Sequence, residues 1–347
     1  MKYSFVIPVY NRPDEVDELL QSLTTQRERD FEVVVVEDGS STPCKEVCDK
    51  YAGTLQLHYF SKPNSGPGPS RNYGAERAHG EYLIILDSDV VLPEGYLEAV
   101  DAALAETSAD AFGGPDRSHD SFTDVQKAIS YSMTSFFTTG GIRGGKRKLD
   151  KFYPRSFNMG IRRDVYLHLG GFSKMRFGED IDFSYRIVEA GHRTCLFEDA
   201  WVWHKRRTDF RKFFRQVYNS GIARINLEKR HPGTLKLVHL LPTVFTVGVI
   251  ALVLVSAVGR ALMHYDAGNW RTWYLVCAIP WLPILLYSLI IAIDSTIRNR
   301  SLKVGLLSVP AAFVQLMGYG AGFIESWWKR CVLKQDEFTA FEKNFYK

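Results

Sequence analysis

"EYLIILDSDVV", residues 81–91, is the stretch that decides how this chain reads. Its apolar run is continuous and ends in two carboxylates, Asp87 and Asp89. A strand covered on both faces shows such an unbroken run, whereas a half-exposed strand alternates. Three earlier stretches share the pattern: "YSFVIPVY" (3–10), "FEVVVVEDGS" (31–40) and "LQLHYF" (55–60). Helical segments lie between them. "RPDEVDELLQSLTTQ" (12–26) has Pro13 near its start and apolar residues at helical spacing. "CKEVCDKYA" (44–52) is the second, and "SGPGPSRNYGAERA" (65–78) is a loop that leads into a third. The alternation predicts an α/β fold with a mostly parallel sheet covered on both sides. Ligands of such sheets sit at the carboxyl ends of strands. Pro8-Val9-Tyr10, Glu37-Asp38 and Asp87-Ser88-Asp89 all fall at such ends, so remote segments converge on one edge.

The composition, 46% hydrophobic and 24% charged, would suit a soluble protein, but it averages two unlike parts. Up to about Arg230 the chain is charge-rich. Beyond it come three uncharged runs, Leu240–Gly259, Thr272–Ile293 and Val304–Ile324. Each reaches the roughly 20 residues that a membrane-crossing helix needs, and none shows the polar face of a soluble helix. Arg298, Arg300 and Lys303 lie between the second and third runs and mark a cytoplasmic side. If all three runs cross, the tail from Lys329 lies on the far side. The third run carries Pro310 and the glycines of "GYGAG" (318–322), which suit a re-entrant segment or close helix packing. "SFVIPVY" is too short for a signal sequence, so the first half is expected in the cytoplasm. The net charge of +4 says little, and the five cysteines read as ordinary residues of a reducing compartment. Dehydrogenase chemistry is disfavoured, because no glycine-rich G-x-G-x-x-G follows the first strand, and no P-loop is present.

A carboxylate repels phosphate but binds it through a divalent cation. Acids at a nucleotide-sized edge therefore suggest Mg²⁺ or Mn²⁺ held by Asp89, with Asp87 reaching a ribose or sugar. Alone, D-x-D reads equally as a solvated turn. It occurs with "FVIPVYNRPDEVDELLQSL" (5–23), "VVVVEDGSS" (33–41), "SRNYGAERAHGEYLIILDSDVVLPEGYL" (70–97), "FNMGIRRDVYLHLGGF" (157–172) and "GEDIDFSYRIVEAGHR" (178–193), in that order. Together these resemble family 2 glycosyltransferases with the GT-A fold, a Rossmann-like arrangement, over Lys2 to about Pro232.

The resemblance implies roles residue by residue. Asp38 would hydrogen-bond the base of a nucleoside diphosphate, uracil being the expected one, in a pocket framed by Pro8, Tyr10 and Glu37. Arg71 would stand near the acids and phosphates. A cation at a helix start is disfavoured by the dipole, which argues for an anionic partner. Asn158 and Gly160 resemble the donor-sugar subsite. Asp180, beside Glu179, would be the base that takes the proton of an acceptor hydroxyl in an inverting transfer. Acids there are also what any helix N-terminus favours. His204 would join Asp89 as a metal ligand. Lys205, Arg206 and Arg207 read equally as phosphate screens or as surface charge.

"TDFRKFFRQVYNSGIARINLEKRHP" (208–232) puts Phe210, Phe213, Phe214 and Val217 on one helix face with Arg211, Lys212 and Arg215 flanking it. A basic amphipathic helix of this kind suits a membrane interface. The segment more loosely resembles membrane-anchored enzymes of exopolysaccharide (succinoglycan-type) assembly. Processive synthases carry Q-x-x-R-W where this chain has Gln216-Val-Tyr-Asn-Ser. The expected organisation is a catalytic domain over 1–207, an interfacial linker helix over 208–234, about three transmembrane helices over 235–328 and a tail over 329–347. The expected partners are a nucleotide-diphosphate sugar, a lipid-linked (polyprenyl diphosphate) saccharide and membrane lipid, with no nucleic acid. The expected place is a bacterial inner membrane, with the catalytic domain on the cytoplasmic face. "TTGGIRGGKRKLDKF" (138–152), with Arg143, Lys146, Arg147 and Lys148, reads either as a loop over the acceptor or as a solvated one. Two rivals stand: a transferase to polyprenyl phosphate itself, and a catalytically silent scaffold that binds nucleotide sugar.

Overall fold

The computed structural model describes residues 1–117, 122–140, 152–205 and 207–340. Two compact units make up the chain. The first comprises Met1–Asp120 and Lys146–Lys205, the second Ser121–Gly145 and Arg206–Lys347.

Among its described residues the first unit holds ten strands: β1 (Tyr3–Val9), β2 (Phe31–Asp38), β3 (Leu57–Lys62), β4 (Tyr82–Leu86), β5 (Val90–Val91), β6 (Ala111–Gly113), β7 (Asp116–Arg117), β8 (Asn158–Arg162), β9 (Thr194–Leu196) and β10 (Val202–His204). Seven form one sheet in the order β3-β2-β1-β4-β8-β6-β9. β1, β2, β3 and β4 are mutually parallel, with Val6 opposite Val34 and Ile85, and β8 is antiparallel to both neighbours. The runs of β1, β2 and β4 are buried on both faces as their pattern requires, whereas β3, at the sheet edge, is only half-buried. Val33 and Val35 join one core with Phe5, Ile7, Leu19 and Leu20, while Val34 and Val36 join another with Val6, Leu83, Ile85 and Phe183. Each such side chain contributes about 1.5–3 kcal/mol by burial.

The opening stretch does not form one strand. Its apolar half is β4, the acids make a turn, and Val90–Val91 crosses into a second sheet of order β5-β10-β7. In that sheet β10 pairs antiparallel with β5, His204 opposite Val90, and the Lys205 amide donates to the Asp89 carbonyl at 3.1 Å. This pairing brings a histidine from late in the chain beside the acids.

Among the described residues, the second unit contains three helices long and apolar enough to cross a membrane, Leu237–Tyr265, Trp270–Asn299 and Leu302–Val332. One expectation needs correction. The segment 122–140 does not belong with the catalytic sheet. Its helix Asp124–Thr134 places Ala128, Ile129 and Met133 in a core with Phe213, Val217, Val304 and Ala311. Residues 128–140 carry no charge. The helix Phe210–Arg230, capped by the Asp209 carboxylate on the Lys212 amide (2.7 Å), packs part of its apolar face on protein. Phe213 and Val217 are buried against the last helix, and Gly221 and Gly322 let the two backbones touch. A Cβ at Gly322 would lie 2.0 Å from the Tyr218 carbonyl oxygen. The last helix runs unbroken through Pro310.

Candidate active site

Asp87 and Asp89 sit in the turn that ends β4. With His204 they form a cluster whose potential ligand atoms all lie within 4.8 Å of one another. His204 Nε2 is 3.3 Å from Asp89 Oδ1. The imidazole stacks on Phe157 (centroids 5.0 Å, 21°), which holds its plane. His204 Nδ1 is buried with no hydrogen-bond partner among the described residues. Two carboxylates and an imidazole fit a Mg²⁺ or Mn²⁺ ion whose remaining positions phosphate or water can fill. Arg12 pairs with the other Asp89 oxygen.

Asp180 opens the helix Glu179–Glu189 behind Gly178, whose φ of +86° turns the chain into the helix in a conformation that glycine adopts freely. Arg155 Nε donates to Asp180 Oδ2 at 2.6 Å, and the Ile181 amide donates to Oδ1 at 2.9 Å. Burial alone would raise this carboxyl, but the Arg155 charge and hydrogen bond outweigh it and hold it below its ordinary range. Glu179 goes the other way. Burial pushes it up to about 7, the Arg71 guanidinium pulls against that rise, and the neighbouring Asp180 charge adds to it. Adjacent carboxyls driven apart in this way leave one group ionised to accept protons and the other readier to hold one.

Arg71, almost fully buried, joins the two clusters. Its Nη2 donates to Asp87 Oδ1 at 2.7 Å and its Nη1 to Glu179 Oε1 at 3.0 Å. The anionic partners that its place at a helix start implied are protein carboxylates. Asp182, in the same first turn as Asp180, pairs instead with Arg186 at 3.2 Å.

The remaining expected residues lie along the same edge of the sheet, most of them held by other contacts. Asp38 is buried, and its carboxylate accepts from the Ser65 amide (2.9 Å), the Gly66 amide (2.8 Å) and Lys62, so most of its capacity is spent fixing the loop after β3. Glu37 likewise accepts from the Cys44 amide at 2.7 Å and from Ser40. It ties down the start of the helix Lys45–Tyr51 rather than lining a pocket. Pro8 and Tyr10 are half-buried at the end of β1. Asn158 is no open sugar contact, since it accepts from the Tyr96 hydroxyl at 2.6 Å and donates to the Ala200 carbonyl at 2.8 Å. Gly160 lies under the Phe112 ring, where a Cβ would come within 2.0 Å, so its small size serves packing. Lys205 pairs with Glu18 at 2.7 Å. Arg206, Arg143, Lys146, Arg147 and Lys148 lie outside the described residues.

Three site residues escape a reading of the sequence. Arg12 had a signal: it too is a cation at a helix start, that of Pro13–Thr24. Arg155 and Phe157 had none, because only the fold brings them to Asp180 and His204.

Residues 4–170 match the family model described as glycosyl transferase family 2. Over this segment the chain is similar to that family. The chain is 30% identical over 137 residues to an uncharacterized glycosyltransferase of Rickettsia felis, a match spanning 40% of this chain and 22% of that protein. It thus spans about a fifth of that relative's length. It is 26% identical over 241 residues to the glycosyltransferase AglE of Haloferax volcanii, covering 65% of this chain and 73% of AglE. The structure of the mannosyltransferase PcManGT from Pyrobaculum calidifontis, a complex with GDP-Man and Mn²⁺, superposes with a TM-score of 0.58. That match covers 95% of this chain and 88% of PcManGT at 17% identity, and it shows a shared fold, GT-A.

Proposed function

We propose that this protein is a membrane-anchored, metal-dependent, inverting glycosyltransferase. It moves one sugar from a nucleotide-diphosphate sugar, with UDP as the expected nucleotide, to a lipid-linked saccharide on the cytoplasmic face during cell-surface polysaccharide synthesis. The observation that carries the reading is the cluster of Asp87, Asp89 and His204, tied through Arg71 to the helix start that bears Asp180.

In this reading Asp89 and His204 hold the ion and Asp87 helps to place the donor. A bound Mg²⁺ or Mn²⁺ supplies Lewis-acid stabilisation of charge developing on the leaving diphosphate. Asp180, ionised because Arg155 faces it, accepts the proton of the attacking hydroxyl. Arg71 keeps Asp87 and Glu179 apart as charges and fixes the spacing between the metal cluster and the base. The three long apolar helices support the membrane anchor, and the lipid-linked acceptor follows from that anchor.

The test is turnover of a panel of nucleotide sugars with Mn²⁺ and polyprenyl diphosphate-linked sugar, against bare polyprenyl phosphate. Transfer to the saccharide that is lost in Asp180→Asn supports the proposal. Transfer to bare polyprenyl phosphate alone moves the function to the first rival, and donor binding without turnover moves it to a scaffold.

A further inference from the structure

We infer that only two of the three apolar helices cross the bilayer, and that the third lies along the membrane surface, so both its ends face the same side. The inference rests on the membrane anchor proposed above and concerns the second unit alone.

The first two helices form an antiparallel pair. The Phe245 and Tyr287 rings are 5.9 Å apart, Trp281 Nε1 donates to Ser256 Oγ at 2.9 Å, and Gly259 abuts Cys277. The start of the first helix and the end of the second therefore share one face, and the turn at Tyr265–Trp270 lies at the other. The third helix begins at the shared face. Lys303 pairs with Asp124, Gly305 abuts Thr296, and Ser308 bonds Ser295 at 2.7 Å. It then passes the start of the first helix, where Phe313 meets Phe245 at 5.4 Å and Gly320 abuts Pro242 and Thr246. It ends beside residues that lead into that start. Arg330 Nε donates to Asn226 at 3.1 Å, and Arg230 pairs with Glu337 at 2.8 Å, a few residues before the first helix begins at Leu237.

Two further observations agree. From Val247 to Tyr265 the first helix runs ~28 Å beyond these contacts, at 1.5 Å per residue, close to the thickness of a hydrocarbon core. Val253, Leu254 and Val258 are exposed along it. The third helix is instead lined from Val217–Gly318 to Asn226–Arg330 by the helix Phe210–Arg230. That helix carries Arg211, Lys212, Arg215, Arg224, Glu228, Lys229 and Arg230. Such a charge load belongs at an interface, because cations in hydrocarbon are costly. Of the three candidates the third is 44% buried in protein, against 11% and 6% for the others.

The test uses the full chain in a bacterial host with a maleimide that cannot cross membranes. Cys331, exposed at the end of the third helix just before the tail, is left as the only thiol in one variant, and Gly268→Cys is the only thiol in another. Lys334→Cys replaces Cys331 should the interface shield it. Labelling of Gly268→Cys in intact cells, with the tail thiol labelled only in inverted vesicles, is the expected result. A tail thiol labelled in intact cells along with Gly268→Cys overturns the inference and leaves the anchor standing. If Gly268→Cys is unreachable in intact cells yet labelled after lysis, the first helix does not cross, and the anchor falls together with the inference.

Discussion

Arg71→Met removes the guanidinium that two carboxylates share. Arg71 is 3% exposed, with Asp87 at 2.7 Å and Glu179 at 3.0 Å. Taking one partner from a buried ion pair leaves an uncompensated charge and costs about 3–5 kcal/mol. The cost depends on pH with a definite sign. Burial already raises Glu179 above its unfolded value, so its stabilising contribution is present at low pH and is lost as pH rises through the folded value. Without Arg71 the folded value climbs further, and the variant keeps losing about 1.4 kcal/mol per pH unit where the parent has levelled off. Near pH 5 both proteins hold Glu179 protonated, so the Glu179 share of the deficit reduces to a lost hydrogen bond, about 1–2 kcal/mol. Near pH 8 it approaches the full 3–5 kcal/mol, roughly 10 °C in Tm for a unit of this size. Unfolding followed by tryptophan fluorescence in detergent at both pH values measures it. A deficit equal at the two values, or larger at pH 5, refutes the shared-charge account.

Arg155→Gln should move the acid limb of kcat/KM upward, since Asp180 then keeps the burial that raises it and loses the cation that lowers it; a pH–rate profile reads this directly, and an unmoved limb would refute it. Gly160→Ala should cost about 1–3 kcal/mol by crowding Phe112, while the KM for donor stays unchanged; a raised KM with unchanged stability would restore Gly160 to the sugar subsite. Gly322→Ala should lower stability by a similar amount by parting two helix backbones, whereas Gly233→Ala, where a Cβ meets nothing, tests crowding against the strain of its φ of +87°.

The sheet and its ligand edge were legible because burial on both faces writes itself as an unbroken apolar run, and β1, β2 and β4 are such runs. The acids stood out for the converse reason, as charges where a core strand could have continued. What could not be read depends on neighbours remote along the chain. Asn158 and Gly160 look like site residues in "NMG", yet Tyr96, Ala200 and Phe112 claim them. Glu37 looks like a pocket wall and serves as a tether. Residues 128–140 were too short an uncharged stretch to signal a span, so only packing shows that the segment joins the apolar helices. His204 was reachable solely through its place after "GED", because the β5–β10 pairing that delivers it to Asp89 leaves no periodic mark.

The most direct test of the central claim is Mn²⁺ titration of sugar transfer in the parent, in the double variant Asp89→Asn/His204→Gln and in Asp180→Asn, with binding of Mn²⁺–nucleotide measured beside it. The account predicts that the double variant loses metal-supported binding and turnover together. Asp180→Asn should still bind Mn²⁺–nucleotide but transfer about 10²–10⁴-fold more slowly. Undiminished transfer by the double variant in the presence of a strong chelator would contradict it.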